Sequence, residues 1–291
     1  MARIGFIGLG MMGLPMARSL LRHGHHVLGC DSNPAARDAL AEGSSAVAFA
    51  ATPAEVAAGA DVVVLMLPDS KVVSAVVEGQ GGLLAALKPG QLVIDMSSSL
   101  PAETRRLAPL VAATGAMYAD APVSGGVAKA RSGTLAIMFG GDDAAWAKAQ
   151  PVLAGMGEQL IRCGDAGAGH AAKALNNFLY GAGLLAAAEA FRMGEKLGLD
   201  LSVLTDVINA SSGRNVATEL KAQAMIQRTY PPSFQLGLMR KDLATAAAIA
   251  AETGEPAVAL KATLEMFNEA VDALGPKVDC TEIHRYLGMV D

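Results

Sequence analysis

The chain has 291 residues, 52% of them apolar and only 18% charged, with a net charge of -5. That length supports about two domains with ample core, and the acidic balance, with no basic stripe, excludes nucleic acid as a partner. The longest apolar run, Phe178–Ala188, stops at Glu189 after 11 residues, short of the roughly 20 that a bilayer requires, so no membrane segment is expected.

The chain runs from Met1-Ala2-Arg3 straight into an apolar strand, so no leader segment is expected. Cys30, Cys163 and Cys280 are odd in number and far apart, which suits neither a disulfide framework nor a zinc site and points to a reducing cytoplasm.

Strand and helix patterns alternate through the first half. Arg3–Ile7, His26–Cys30, Asp61–Leu67 and Gln91–Met96 read as strands, and Met12–His23, Pro34–Glu42, Pro53–Ala58 and Pro101–Thr114 as helices. Met117–Asp120, Thr134–Gly140 and Gln159–Cys163 add strands, with a helix near Asp142–Ala154. This alternation predicts a doubly wound parallel α/β sheet. After Gly167 strand signals vanish. Ala168–Leu197 reads as one helix of about 30 residues, ~45 Å long, followed by helices at Leu201–Ala210, Val216–Arg228, Leu236–Thr253, Pro256–Leu274 and Thr281–Leu287. The expected organisation is a Rossmann domain over 1–165 and an all-helical domain over 166–291, joined by the long helix.

Gly8-Leu9-Gly10-Met11-Met12-Gly13 follows a strand and opens a helix. In that setting Gly8 allows the tight turn, Gly10 lets backbone approach a pyrophosphate, Gly13 lets helix pack on strand, and free N–H groups face the phosphates. Asp31 ends the next strand, where a carboxylate binds an adenosine ribose and repels a 2′-phosphate. Arg37 lies a turn into the following helix. NAD is therefore expected, with NADP open. Ser32 and Asn33 suit the helix N-cap better than Asp31 does. Leu67 and Pro68, with Met66, are expected to pack on the nucleoside. Ser97 and Ser98 are expected to meet the nicotinamide ribose, with Ser99 capping the helix that starts at Pro101.

Two further motifs carry chemistry. Ser124-Gly125-Gly126 follows a strand and leaves N–H groups free to form an anion nest that suits a small carboxylate. Gly167-Ala168-Gly169-His170-Ala171-Ala172-Lys173-Ala174-Leu175-Asn176-Asn177 is a glycine turn opening onto an Ala/Leu helix, with Lys173 and Asn177 one turn apart on one face. Desolvation lowers a lysine's pKa and makes it a proton shuttle, whereas Asn177 can only orient by hydrogen bonds. His170 has no second ligand at i+4, so it reads as a polar helix-start residue and no metal site is expected.

Together with Gly5-Phe6-Ile7, Asp120-Ala121-Pro122-Val123 and Lys241-Asp242-Leu243, these motifs resemble, in order and over nearly the whole chain, the β-hydroxyacid dehydrogenase family of 3-hydroxyisobutyrate and tartronate semialdehyde enzymes. The resemblance implies hydride transfer between NAD(H) and a small β-hydroxyacid. It implies Lys173 as general acid/base, Asn177 beside it, Ser124, Gly125 and Gly126 on the substrate carboxylate, and Lys241 on the cofactor. It also implies a homodimer or homotetramer through the helical domain. Succinic semialdehyde (4-hydroxybutyrate), threonate and serine enzymes of the same family are alternatives for the substrate. Asn176 stands where 6-phosphogluconate dehydrogenases carry His, which disfavours decarboxylation, and Lys173 disfavours imine reduction and a non-catalytic nucleotide-binding module. Arg214, in Ser211-Ser212-Gly213-Arg214-Asn215, is a candidate for a polar or anionic substrate end if it faces the pocket, and a helix-start charge if it faces solvent.

Overall fold

In the computed structural model, which describes residues 2–42 and 44–290, the apolar runs of the first half lie side by side in one nine-stranded sheet. Its strands are β1 (Arg3–Ile7), β2 (His26–Cys30), β3 (Val47–Phe49), β4 (Val62–Leu65), β5 (Leu92–Asp95), β6 (Met117–Asp120), β7 (Val123–Ser124), β8 (Leu135–Gly140) and β9 (Gly157–Gly164). The helices of this half are α1 (Gly13–Arg22), α2 (Pro34–Ala41), α3 (Pro53–Gly59), α4 (Ser70–Glu78), α5 (Pro101–Ala112), α6 (Gly126–Ser132) and α7 (Asp143–Leu153). The order is β3-β2-β1-β4-β5-β6-β8-β7, with β9 beside β8. The first six strands are parallel, β8 runs antiparallel to β6 and β7, and β9 is parallel to β8.

Val62–Leu65 and Leu92–Asp95 are buried at every position, as strands covered on both faces must be. One face packs around Phe6, Leu20, Ile94 and Phe139, the other around Val63, Val77, Val93 and Leu107. The strand order reverses between β1 and β4. The carboxyl ends of those strands therefore border the crevice where such sheets take ligands.

The second half forms α8 (Ala168–Lys196), α9 (Leu201–Asn209), α10 (Val216–Leu220), α11 (Ala222–Ile226), α12 (Leu236–Thr253), α13 (Val258–Leu274) and α14 (Ile283–Leu287). Gly181 lets α8 meet α12 closely: a Cβ there would lie 3.2 Å from Leu243 and Met239. Phe191, Met239, Leu243 and Phe267 are fully buried in this core. The chain divides into two compact units, Met1–Lys173 and Ala174–Asp291, the division falling inside α8. Among the described residues, no helix is long and apolar enough to cross a membrane.

The helix expected over Val216–Arg228 is two short ones. The chain leaves helical geometry at Lys221, with φ -121°. The elements β3, β7, α4 and α6 were not expected from the sequence. Three are short. The fourth, α4, is rich in valine, whose β-branching weighs against a helix, yet Asp69 caps it by accepting from Lys71 and Val72 N–H.

Candidate active site

The β1–α1 turn separates its three glycines by function. Gly8 has φ +96°, and a Cβ there would lie 2.2 Å from the Met66 carbonyl oxygen; a Cβ on Gly13 would lie 1.9 Å from the Gly8 oxygen. Both positions are closed by backbone. A Cβ on Gly10 would meet nothing within 4 Å, and Gly10 is exposed. The turn thus packs tightly beneath and leaves its middle open, the shape a pyrophosphate needs. Met11 is exposed and Met12 half-buried beside it. A groove of about 560 Å³ runs off the turn, lined by Leu9, Gly10, Met11, Leu14, Arg18 and Asn33 among others.

The Asp31 carboxylate, in the residue just after β2, accepts the Leu9 N–H at 2.6 Å and the Asn33 N–H at 2.7 Å, so it braces the glycine turn. Asn33 caps α2 by accepting from Ala35 N–H. Past β4, Leu67 is half-buried and Pro68 exposed.

The three serines after β5 do not divide as expected. Ser97 is fully buried, and its hydroxyl accepts the Leu67 N–H at 3.0 Å. It frames the crevice from below, and burial takes its hydroxyl away from a ribose. Ser98 is the half-exposed member. Ser99 does not cap the next helix: Leu100 is the N-cap of α5, with no side-chain bond. The Ser99 hydroxyl instead donates to buried Asp95 at 2.8 Å, because a neighbouring buried carboxylate needs donors more than an exposed helix start does.

Ser124 ends β7 half-buried, and Gly125 and Gly126 follow exposed, with φ +127° and +66°. Both take the positive φ that favours glycine, at the turn where the nest is expected. A Cβ on Gly125 would lie 2.5 Å from Lys129 Cδ, so the Lys129 stem lies across the nest. The sequence reading missed Lys129 because it is an ordinary basic residue in a short helix.

The start of α8 hangs from the same edge of the sheet. Asp120, at the carboxyl end of β6, accepts the Gly167 N–H at 2.6 Å and the His170 N–H at 2.7 Å. Burial pushes its carboxyl above the usual range, against the pull of His170 and these two N–H groups. A Cβ on Gly169 would lie 2.2 Å from the Met138 oxygen, which explains the glycine spacing. His170 is the polar helix-start residue expected, in the first turn of α8, but it is buried. It is 1% exposed, with Nδ1 2.7 Å from Thr104 Oγ1 and Nε2 3.0 Å from the Ser97 carbonyl. One turn on, Lys173 is half-buried.

In the second unit Asn177 is 4% exposed, and its Nδ2 donates to Asp242 Oδ2 at 2.5 Å. Asn176 donates to Asn177 Oδ1 at 3.0 Å. Asp242 was part of a motif in the sequence, but its pairing with Asn177 was not legible there. Lys241 is half-buried on α12. Arg214 is a solvent-facing helix-start charge: its side chain is 64% exposed and its Nε is 3.7 Å from Glu219. Asn215 beside it forms a capping box with Thr218, which turns the chain into α10 and leaves Arg214 outside.

Comparison with known proteins identifies what the chain resembles over nearly its whole length. Residues 3–164 match the family model of the NAD binding domain of 6-phosphogluconate dehydrogenase, and 167–287 that of the NAD-binding domain of NADP-dependent 3-hydroxyisobutyrate dehydrogenase. The chain is 40% identical over 294 residues to 3-hydroxyisobutyrate dehydrogenase of Pseudomonas aeruginosa, covering 98% of both. It is 41% identical over 248 residues to 2-(hydroxymethyl)glutarate dehydrogenase of Eubacterium barkeri, covering 84% of this chain and 81% of that one. The solved structure of Mycobacterium tuberculosis 3-hydroxyisobutyrate dehydrogenase with L-serine superposes with TM-score 0.92 at 36% identity, covering 99% of each chain.

Proposed function

Because the chain belongs to the β-hydroxyacid dehydrogenase family and is an NAD(P)-dependent oxidoreductase of small β-hydroxyacids, we propose that Lys173 is its general acid/base. The observation that carries this reading is the suspension of α8 from Asp120. It sets the lysine helix at the carboxyl edge of the sheet whose β1–α1 turn is shaped for a dinucleotide.

When bound, the nicotinamide supplies the hydride acceptor. Lys173 Nζ takes the hydroxyl proton of the substrate in oxidation and returns it in reduction. Asn177 keeps one N–H and one lone pair beyond its bonds to Asp242 and Asn176, enough to orient the hydroxyl or carboxylate. Ser124 and the N–H groups of Gly125 and Gly126 hold the carboxylate. Gly8, Gly10 and Gly13 with Met11 and Met12 hold the pyrophosphate. Leu67, Pro68 and Ser98 line the nucleoside, Ser97 fixes that edge from below, and Lys241 reaches the cofactor. Asp31 favours NAD over NADP. Arg214 is left out of the substrate site because of its exposure. The functional division falls near residue 165, so that all of α8 serves the helical domain.

3-Hydroxyisobutyrate heads the substrate panel, supported by the relatives of that activity. A substrate with a second carboxylate, such as the 2-(hydroxymethyl)glutarate of the Eubacterium barkeri relative, follows. The enzyme assembles as a homodimer or homotetramer through its helical domain. Supporting this, α8 exposes Leu175 and Leu179, α9 exposes Val203 and Val207, and α10 exposes Val216 and Leu220, each pair at i,i+4. A cytoplasmic location is supported by three free cysteines. The test is reduction of NAD⁺ and of NADP⁺ with 3-hydroxyisobutyrate, glycerate, threonate, serine, 4-hydroxybutyrate and 2-(hydroxymethyl)glutarate. The highest kcat/KM is expected with NAD⁺ and a β-hydroxyacid; absence of turnover with every member contradicts the reading.

A further inference from the structure

We propose that His170 is a positioning residue for the reaction: it fixes where α8 presents Lys173 relative to the carboxyl end of β5. The inference rests on the reading of Lys173 as the general acid/base.

Three ties converge on this residue. Its N–H donates to Asp120 Oδ2 at 2.7 Å, Nε2 lies 3.0 Å from the Ser97 carbonyl, and Nδ1 lies 2.7 Å from Thr104 Oγ1. A carbonyl only accepts, so Nε2 carries a proton and donates to Ser97, while Nδ1 shares a hydrogen bond with the Thr104 hydroxyl. Both ring nitrogens are then satisfied. Oδ2 of Asp95 is 3.8 Å from Nε2 and that of Asp120 3.7 Å from Nδ1, and each carboxylate has other donors. Asp95 takes the Ser97 N–H and the Ser99 hydroxyl, and Asp120 takes two N–H groups of the α8 start.

His170 therefore joins three elements: the residues after β5, helix α5 through Thr104, and the first turn of α8. The path extends further, because Ser97 Oγ accepts the Leu67 N–H beyond β4. The segments read as lining the cofactor, at 67–68 and 97–98, are thus hydrogen-bonded through one imidazole to the helix turn that carries Lys173. An apolar side chain would fill the same volume, but it would strand the Ser97 carbonyl in a buried site and leave the Thr104 hydroxyl only a 3.5 Å contact with the Leu100 carbonyl. Hydrogen bonds add direction, and a proton acceptor must hold its position within a fraction of an ångström. At 1% exposure the ring itself does not touch substrate, so its effect passes through Lys173.

The test uses the full-length enzyme with His170→Ala, His170→Gln and Thr104→Val, with NAD⁺ and the best substrate of the panel. In His170→Ala, kcat is expected to fall on the order of 10²-fold while the Kd for NAD⁺ stays within about twofold. The deuterium isotope effect on kcat, with substrate labelled at the hydroxyl-bearing carbon, is expected to rise as hydride transfer becomes limiting. A role confined to stability would not move that readout. His170→Gln, which keeps an N–H donor and an oxygen acceptor, is expected to recover part of kcat. Should His170→Ala fail to fold, Thr104→Val removes only the hydroxyl and is expected to lower kcat about tenfold with the same isotope signature. Wild-type kcat and isotope effect in the folded variants overturn the proposal, as does a loss of NAD⁺ affinity equal to the loss of kcat. Lys173→Ala measured in parallel separates the two readings: retained turnover there removes the assignment of Lys173, whatever His170 does.

Discussion

The side-chain amide of Asn177 on α8 donates to the carboxylate of Asp242 on α12, 2.5 Å away and 65 residues along the chain. Both groups are buried, so each fixes the other's rotamer. Asp242→Ala is expected to leave the amide without its acceptor and to cost about 1–3 kcal/mol of stability. It should also raise KM for the hydroxyacid, since Asn177 loses its orientation, and leave cofactor affinity unchanged. Thermal unfolding and steady-state kinetics of the purified variant check both parts.

Gly10 and Gly13 stand three residues apart and are expected to respond oppositely to alanine. Gly10 has open space above it, whereas a Cβ on Gly13 strikes the Gly8 carbonyl. Gly10→Ala should keep its melting temperature and lose NAD affinity by about tenfold, or about 1.4 kcal/mol. Gly13→Ala should lose about 1–3 kcal/mol of stability through overpacking. Melting curves with and without NAD⁺ distinguish the two.

Asp31, proposed to face the adenosine ribose, also braces the Leu9 and Asn33 N–H groups. Asp31→Ala is expected to weaken NAD⁺ binding by about tenfold and NADP⁺ binding by less, because removing the carboxylate also removes its repulsion of a 2′-phosphate. The ratio of kcat/KM for the two cofactors is the readout; an unchanged ratio contradicts the role of Asp31 in selection.

The Lys129 stem crosses Gly125, and its ammonium makes no hydrogen bond or ion pair among the described residues. A cation beside the nest adds to carboxylate attraction. Lys129→Ala is expected to raise KM for the hydroxyacid roughly two- to fivefold at unchanged kcat, the scale of an exposed charge pair, and raising salt should shrink the difference.

Much of this site was legible from local spacing. The glycines at 8, 10 and 13, Asp31 ending a strand, and Lys173 and Asn177 one turn apart each declare themselves within a few residues, because turn sterics and helical period are local rules. The partners were not legible. Thr104, Ser97 and Asp120 are distant in sequence from His170, and only the sheet brings β5, α5 and β6 to the start of α8. Ser99 illustrates the same limit: adjacent to Pro101, it reads as a cap, and it is the buried Asp95 that claims its hydroxyl. Arg214 reads as a candidate ligand until the capping box of Asn215 directs it outward.

Lys173 is proposed to exchange the substrate proton. Lys173→Ala, with kcat measured at saturating NAD⁺ and hydroxyacid and NAD⁺ affinity measured by titration, tests it most directly. A loss of roughly 10²–10⁴-fold in kcat is expected with NAD⁺ affinity retained; turnover near that of the unaltered enzyme would contradict that role.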